Sequence, residues 1–358
     1  MLLKNTQNIN KIYIKLICSI ILIVSTLTIV LTNTSYAKAV KETINDYNLE
    51  FNTENLDFLD DYLDDHNIFL TYSLKENNVI LMQNENMRIN PASITKIVPC
   101  ILAIKNLDLN KSVQILESDT ILPKDYIKVP LIPGEYMTVN ELLHFALIPS
   151  CNDASKALAR LLNDNNSTYE EKVKKLFEEL NMQDTHFTNS YGFADPNHYT
   201  TANDLAKLTR YVLNDDIFLS IISKTHVNVP PYASRPANIL NTTNKYLLDG
   251  PFKNANIFGL KTGYNNLSKY CFISAKNVIV RNSPDKIICI VANLNNENDR
   301  YYLSNKLYLY TEHLLENKIN TSLKWNSFIP RNPNIEHYAA YLIVILLAVF
   351  ILKPRNNK

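Results

Sequence analysis

Ser93 and Lys96 stand three residues apart in Pro91-Ala92-Ser93-Ile94-Thr95-Lys96, at the start of a segment that reads as helix. Residues i and i+3 share a helix face, so hydroxyl and amine can meet there. A serine hydroxyl is a poor nucleophile until a base within reach takes its proton, and a neighbouring lysine can be that base if its amine is neutral. Burial and nearby cations both push a lysine toward that form. Alone the pair is weak, because the same spacing suits a helix N-cap followed by a surface lysine. It gains company from Ser150-Cys151-Asn152, just before a helix beginning near Asp153, and from Lys261-Thr262-Gly263, on a strand after Gly259. Motif geometry by itself points to a serine acyl-transfer enzyme.

The elements that must carry these groups read as strands early, helices centrally and strands late. Ile68–Ser73 and Val79–Met82 form a hairpin through the polar turn at 75–78. Helices are expected over residues 93–107, Val139–Leu147 and Asp153–Leu162, the last with Ala154, Ala157, Leu158 and Leu161 on one face. Pro99 falls inside the first of them and predicts a kink. Phe258–Tyr264, Tyr270–Ile279 and Lys286–Asn293 read as strands, and Tyr302–Leu315 as a helix striped by Leu303, Leu307, Tyr310 and Leu314. That order implies one α+β domain whose sheet is completed by distant segments.

Composition narrows the partners. With 36 basic against 35 acidic side chains and no basic stripe, the chain has no field to draw a polyanion, so nucleic acid is not an expected partner. None of the seven histidines makes a His-x-x-x-His or comparable pattern, and neither metal nor cofactor is expected. The run Asp60, Asp61, Asp64 and Asp65 reads as a solvated face.

Both ends speak of a membrane. Lys4, Lys11 and Lys15, the apolar run Leu16–Leu31 and the small-x-small step Ser35-Tyr36-Ala37 read as a secretory signal peptide over 1–37, with an uncleaved anchor as the alternative. Residues 338–352 lack a polar side chain and precede Lys353, Arg355 and Lys358, the flank expected of a C-terminal transmembrane anchor; an interfacial helix is the other reading. Residues 318–337 read as a stalk, leaving 38–317 as an extracytoplasmic catalytic domain at the plasma membrane. Cys100, Cys151, Cys271 and Cys289 follow neither a disulfide-scaffold nor a metal-clip spacing and are expected as free, buried thiols.

Taken together, the three motifs, 57 and 111 residues apart, resemble the signature of serine penicillin-recognising enzymes. Over about residues 60–317 the chain resembles the low-molecular-mass penicillin-binding proteins that are D-alanyl-D-alanine carboxypeptidases. The likeness extends to Gly134-Glu135, Thr138–Leu143, Thr185–Asn189 with Gly192, His198–Ala206, and Gly259–Tyr264 followed by Tyr270-Cys271. It implies the transpeptidase-like fold shared with β-lactamases, an antiparallel sheet with a helical subdomain. The roughly twenty residues before the apolar run leave no room for the C-terminal β-sandwich of many members.

The resemblance also implies roles. Ser93 would attack, Lys96 would be its general base, and Ser150 would relay a proton to the leaving nitrogen. Asn152 would hold a substrate carbonyl, Lys261 and Thr262 the terminal carboxylate, and the backbone N–H groups of Ser93 and Tyr264 the oxyanion. Gly263 would let substrate approach the strand. Substrates would be peptidoglycan stems ending in D-Ala-D-Ala, with β-lactams as inhibitors. A β-lactamase and a non-hydrolytic penicillin sensor or peptidoglycan-binding module are the alternatives. Phe177 stands where a class A β-lactamase would need its deacylating glutamate, and Phe177–Asn181 reads instead as the end of an amphipathic helix. His198 is expected to make a structural hydrogen bond. Cys151 departs from the small residue usual at its place and reads as packing, and Asn265–Lys269 lacks the usual small residues, so the cleft rim should differ.

Overall fold

In the computed structural model, which describes Tyr62, residues 66–123 and 131–317, and the backbone of Leu323–Lys324, the hairpin strands are β1 (Ile68–Ser73) and β2 (Asn78–Gln83). A 3₁₀ turn, Ala92–Lys96, leads into α1 (Ile97–Asn106), followed by β3 (Ser112–Gln114), α2 (Glu117–Thr120) and β4 (Tyr136–Thr138). The helical centre continues with α3 (Val139–Leu147), α4 (Asn152–Leu161), α5 (Tyr169–Glu179), α6 (Ala202–Val212) and α7 (Asp216–Ile222). A small hairpin, β5 (His226–Val229) and β6 (Asn238–Asn241), precedes β7 (Ile257–Asn265), β8 (Lys269–Val280), β9 (Ser283–Leu294), α8 (Asp299–Glu316) and β10 (Leu323–Lys324).

The main sheet has the order β10-β2-β1-β9-β8-β7, antiparallel except where β10 joins β2. Its closure is non-local: β1 pairs with β9, Leu70 opposite Ile290, which places the earliest strand between β2 and the last long one. Ile287 to Ala292 are all buried, so β9 is covered on both faces, with α8 and α6 packed against it. The expected stripe Leu303, Leu307, Tyr310 and Leu314 is buried, as are Ala154, Ala157 and Leu158 of α4. The result is the α+β arrangement expected, an antiparallel sheet with a helical half.

Local signals explain several boundaries. The side chain of Thr138 accepts the N–H of Glu141, whose carboxylate accepts the N–H of Thr138, and this reciprocal cap starts α3. The kink expected at Pro99 is not where the winding changes. That change falls at Lys96–Ile97, and Pro99 lies in the first turn of α1, where helical N–H groups lack intrahelical partners in any case. Phe177 is buried near the end of α5, edge-on to Phe187 at 5.1 Å.

Among the described residues no helix is long and apolar enough to cross a membrane. The expectations for 1–37, 338–352 and the aspartates at 60–65 lie outside the described residues. Of the stretch 318–337, Leu323–Lys324 pairs with Leu81–Met82, and the rest lies outside them too.

Candidate active site

Ser93 follows a residue in an unusual conformation. Ala92 has φ +46°, the left-handed region that side chains other than glycine seldom enter. Three contacts hold it there. Its N–H donates to Asn90 Oδ1 (3.1 Å), its carbonyl accepts from Thr95 Oγ1 (2.7 Å), and Gly192 presses against it so closely that a Cβ would lie 1.8 Å from the Ala92 oxygen. Such strain persists where surrounding structure over-determines it, and functional sites are where it collects. On the next turn Lys96, with no exposure to solvent, places Nζ 2.8 Å from Ser93 Oγ and donates to the Tyr191 carbonyl at 2.7 Å.

The second motif is set at a helix start. Ser150 also has a positive φ, +69°, and Cys151 anchors the turn by donating its N–H to Phe145 O at 2.9 Å before Asn152 begins α4. The third motif lies on β7, the edge strand of the sheet, which packs against the 92–96 turn. Lys261 is 2% exposed; its Nζ donates to Ser150 Oγ at 2.9 Å and to the Thr262 carbonyl at 3.1 Å. Thr262 Oγ1 donates to Thr243 Oγ1 at 2.7 Å. Ser93, Ser150, Asn152, Thr262, Gly263 and Tyr264 line one cleft of about 600 Å³. Lys96 and Lys261 stand behind its wall, bonded to the two serines.

Gly263 lines the cleft and also meets a packing need. A Cβ there would sit 2.5 Å from Cys271 Sγ and 3.0 Å from the Pro91 carbonyl, so its bareness allows close packing of β7 on the turn before Ser93. Tyr264 is exposed and stacks on Tyr270 at 4.4 Å, forming a rim.

Four contributors were missed from sequence. Tyr191 acts through its carbonyl, which no side-chain type announces. Thr243 meets Thr262 from a loop. Asn265 is buried and bonds Asn90, and Arg300, 5% exposed at the start of α8, lines the cleft. Glu297, which also lines it, binds Lys245 at 3.2 Å and Arg300 at 2.9 Å. Burial works against its ionisation, but those two cations outweigh it and hold the carboxyl below its usual range.

The remaining polar groups are structural. His198 Nδ1 accepts the Thr188 N–H (2.9 Å), so Nε2 carries the proton and donates to Thr95 Oγ1 (2.8 Å). The four cysteines are buried and free, and burial pushes the thiols of Cys100, Cys271 and Cys289 up to about 12. Such thiols are inert at neutral pH. A larger cavity, about 810 Å³, lies between α4, α5 and residues 181–191; none of the three motifs lines it, and it meets the site only near Tyr191.

Comparison with known proteins gives a family and a fold. Residues 66–294 match the family described as D-alanyl-D-alanine carboxypeptidase. The Bacillus subtilis D-alanyl-D-alanine carboxypeptidase DacF is 30% identical over 203 residues, 55% of this chain and 50% of that protein. Mycobacterium tuberculosis DacB2, named likewise, is 26% identical over 209 residues, 58% of this chain and 69% of that one. The chain thus spans half the length of the first and about two thirds of the second. The Streptomyces K15 DD-transpeptidase structure superposes with a TM-score of 0.62 at 22% identity, covering 69% of this chain and 96% of that one, a likeness of fold.

Proposed function

The chain belongs to the D-alanyl-D-alanine carboxypeptidase family, and we propose that it removes the terminal D-alanine from peptidoglycan pentapeptide stems through an acyl-enzyme on Ser93. The observation that carries this is Lys96 Nζ 2.8 Å from Ser93 Oγ, beside the Lys261–Ser150 pair at 2.9 Å. Lys96, as the neutral amine, takes the Ser93 proton while Oγ attacks the carbonyl of the penultimate D-alanine. The oxyanion is held by the backbone N–H groups of Ser93 and Tyr264; loss of one such donor in comparable enzymes costs ~100- to 1000-fold. Ser150, bonded to Lys261, passes a proton to the departing D-alanine nitrogen. Water then cleaves the ester and restores the hydroxyl.

Substrate is held by Asn152 at a peptide carbonyl and at its carboxylate by Thr262 and Arg300, since Lys261 is engaged by Ser150 behind the wall. β-Lactams, as analogues of the acylating substrate, acylate the same serine. The sequence of the two ends supports an exported domain over 38–317, a signal over 1–37, a stalk over 318–337 and an anchor over 338–352, which keeps the site near the outer membrane face. A class A β-lactamase needs a carboxylate to drive deacylation, and the cleft-lining carboxylate, Glu297, is committed to Lys245 and Arg300.

The test is mass spectrometry of the full chain in detergent with a pentapeptide ending in D-Ala-D-Ala, beside Ser93→Ala. Release of one D-alanine that vanishes in the variant supports the reading. A stable penicillin adduct on Ser93 without D-alanine release would replace it with a sensor or binding module.

A further inference from the structure

We propose that Asn265 is a positioning residue for acyl transfer, its side-chain amide clamping the β7 edge strand to the turn that presents Ser93. The proposal rests on the acyl-enzyme reading above. Asn265 is 3% exposed and uses its whole hydrogen-bonding capacity. Oδ1 accepts the N–H groups of Leu267 (3.0 Å) and Ser268 (2.7 Å), which folds the β7–β8 turn. Nδ2 faces the other way, donating to Asn90 Oδ1 at 2.7 Å and to the Gly192 carbonyl at 3.3 Å, 175 and 73 residues away in sequence.

Each acceptor reaches a reacting group in one step. Asn90 Oδ1 also accepts the N–H of Ala92, the left-handed residue immediately before Ser93, and its Nδ2 donates to His198 O at 2.9 Å. Gly192 follows Tyr191, whose carbonyl fixes Lys96 Nζ, and packs on Ala92. On its own strand Asn265 follows Tyr264, the proposed second oxyanion donor. One buried amide therefore sets nucleophile, base and oxyanion donor relative to one another. Aspartate lacks the donor half of the bridge, and serine is too short to reach Asn90. In reactions of this kind a misplacement of about 1 Å costs about 100-fold.

The experiment uses the full chain in detergent and a fluorescent penicillin in stopped flow, separating initial binding from the covalent step. Asn265→Asp keeps the acceptor that folds the turn but sets a carboxylate oxygen against two others. It should slow the covalent step about 10- to 100-fold, with initial binding within about 3-fold. Asn265→Ser makes the same comparison should the aspartate variant not fold. Ser268→Ala is the control: its hydroxyl accepts the Asn265 N–H at 2.9 Å and otherwise bonds the Lys269 carbonyl and the Cys271 thiol, but neither Asn90 nor Gly192. It should lower the melting temperature and leave the covalent step unchanged. A covalent step at the wild-type rate in the Asn265 variants, or an equal loss in Ser268→Ala, overturns the clamp.

Amide hydrogen exchange separates this from the fate of the parent reading. If wild-type protein forms no adduct, the acyl-enzyme reading falls, and the clamp is judged by exchange alone. Faster exchange at residues 91–94 together with 263–265 in Asn265→Ser supports it, and unchanged exchange at 91–94 overturns it.

Discussion

Lys261 Nζ lies 2.9 Å from Ser150 Oγ while the lysine is only 2% exposed. Its charge is therefore directed at a serine of the cleft wall, and the cations that line the cleft are Lys245 and Arg300, both outside all three motifs. In the proposed mechanism Lys261 serves the proton transfer through Ser150 and Arg300 the substrate carboxylate, a division in place of the carboxylate role expected of Lys261.

This division predicts a split in specificity. Arg300→Gln should lower kcat/KM about 10- to 100-fold for a peptide ending in a free carboxylate, the loss of a charge-assisted hydrogen bond. Its activity on the corresponding C-terminal ester should change little. Comparing release of D-alanine from the one peptide with release of the D-alanine ester from the other checks it, and equal losses on both would count against carboxylate recognition by Arg300.

Lys96→Met should remove the base while leaving the fold intact, because a buried amine is replaced by an apolar chain of similar length. Acylation by penicillin should fall ~100- to 10,000-fold with an unchanged or raised melting temperature. A variant that acylates at the wild-type rate would assign the base elsewhere.

Gly192→Ala should be among the most damaging small substitutions. Gly192 has φ +85° and its missing Cβ would overlap the Ala92 carbonyl carbon at 2.2 Å, so strain and collision combine. A loss of roughly 3 kcal/mol or more, or failure to fold, is expected in urea unfolding.

His198 gives a pH dependence of stability. Burial pushes its imidazolium down to about 4 from 6.5, and a proton on Nδ1 would oppose the Thr188 N–H. The unfolded chain therefore binds the proton first. Stability from the neutral ring is complete above about pH 6.5 and is lost as pH falls toward 4, by up to roughly 3 kcal/mol. Asp153, which burial raises to about 6, acts in the same window with the opposite sign, its contribution falling as pH rises through 6. Subtracting the profile of His198→Gln isolates the histidine term; parallel profiles for the two proteins would dismiss it.

What the sequence determined by itself was whatever short-range physics encodes. The i, i+3 pair of Ser93 and Lys96, the Thr138–Glu141 cap that starts α3, the polar turn between the two runs of β1 and β2, and the stripe on α8 all depend on residues within a turn or two of each other. Element types follow, and the family follows from the three motifs in order. Tertiary structure decided the rest, because the deciding contacts join segments far apart or use groups without a residue-type signal. The Tyr191 carbonyl that holds Lys96 is a backbone atom any residue would offer. Gly263 lines the cleft, and only the placement of Cys271 and Pro91 against it shows that close packing also demands its missing side chain. Pro99 could have bent a helix, had the α-helix begun at Ser93 rather than at Ile97. Asn265 and Arg300 became part of the site only when β7 docked on the nucleophile turn and α8 started beside the cleft, a closure made by pairing across more than two hundred residues.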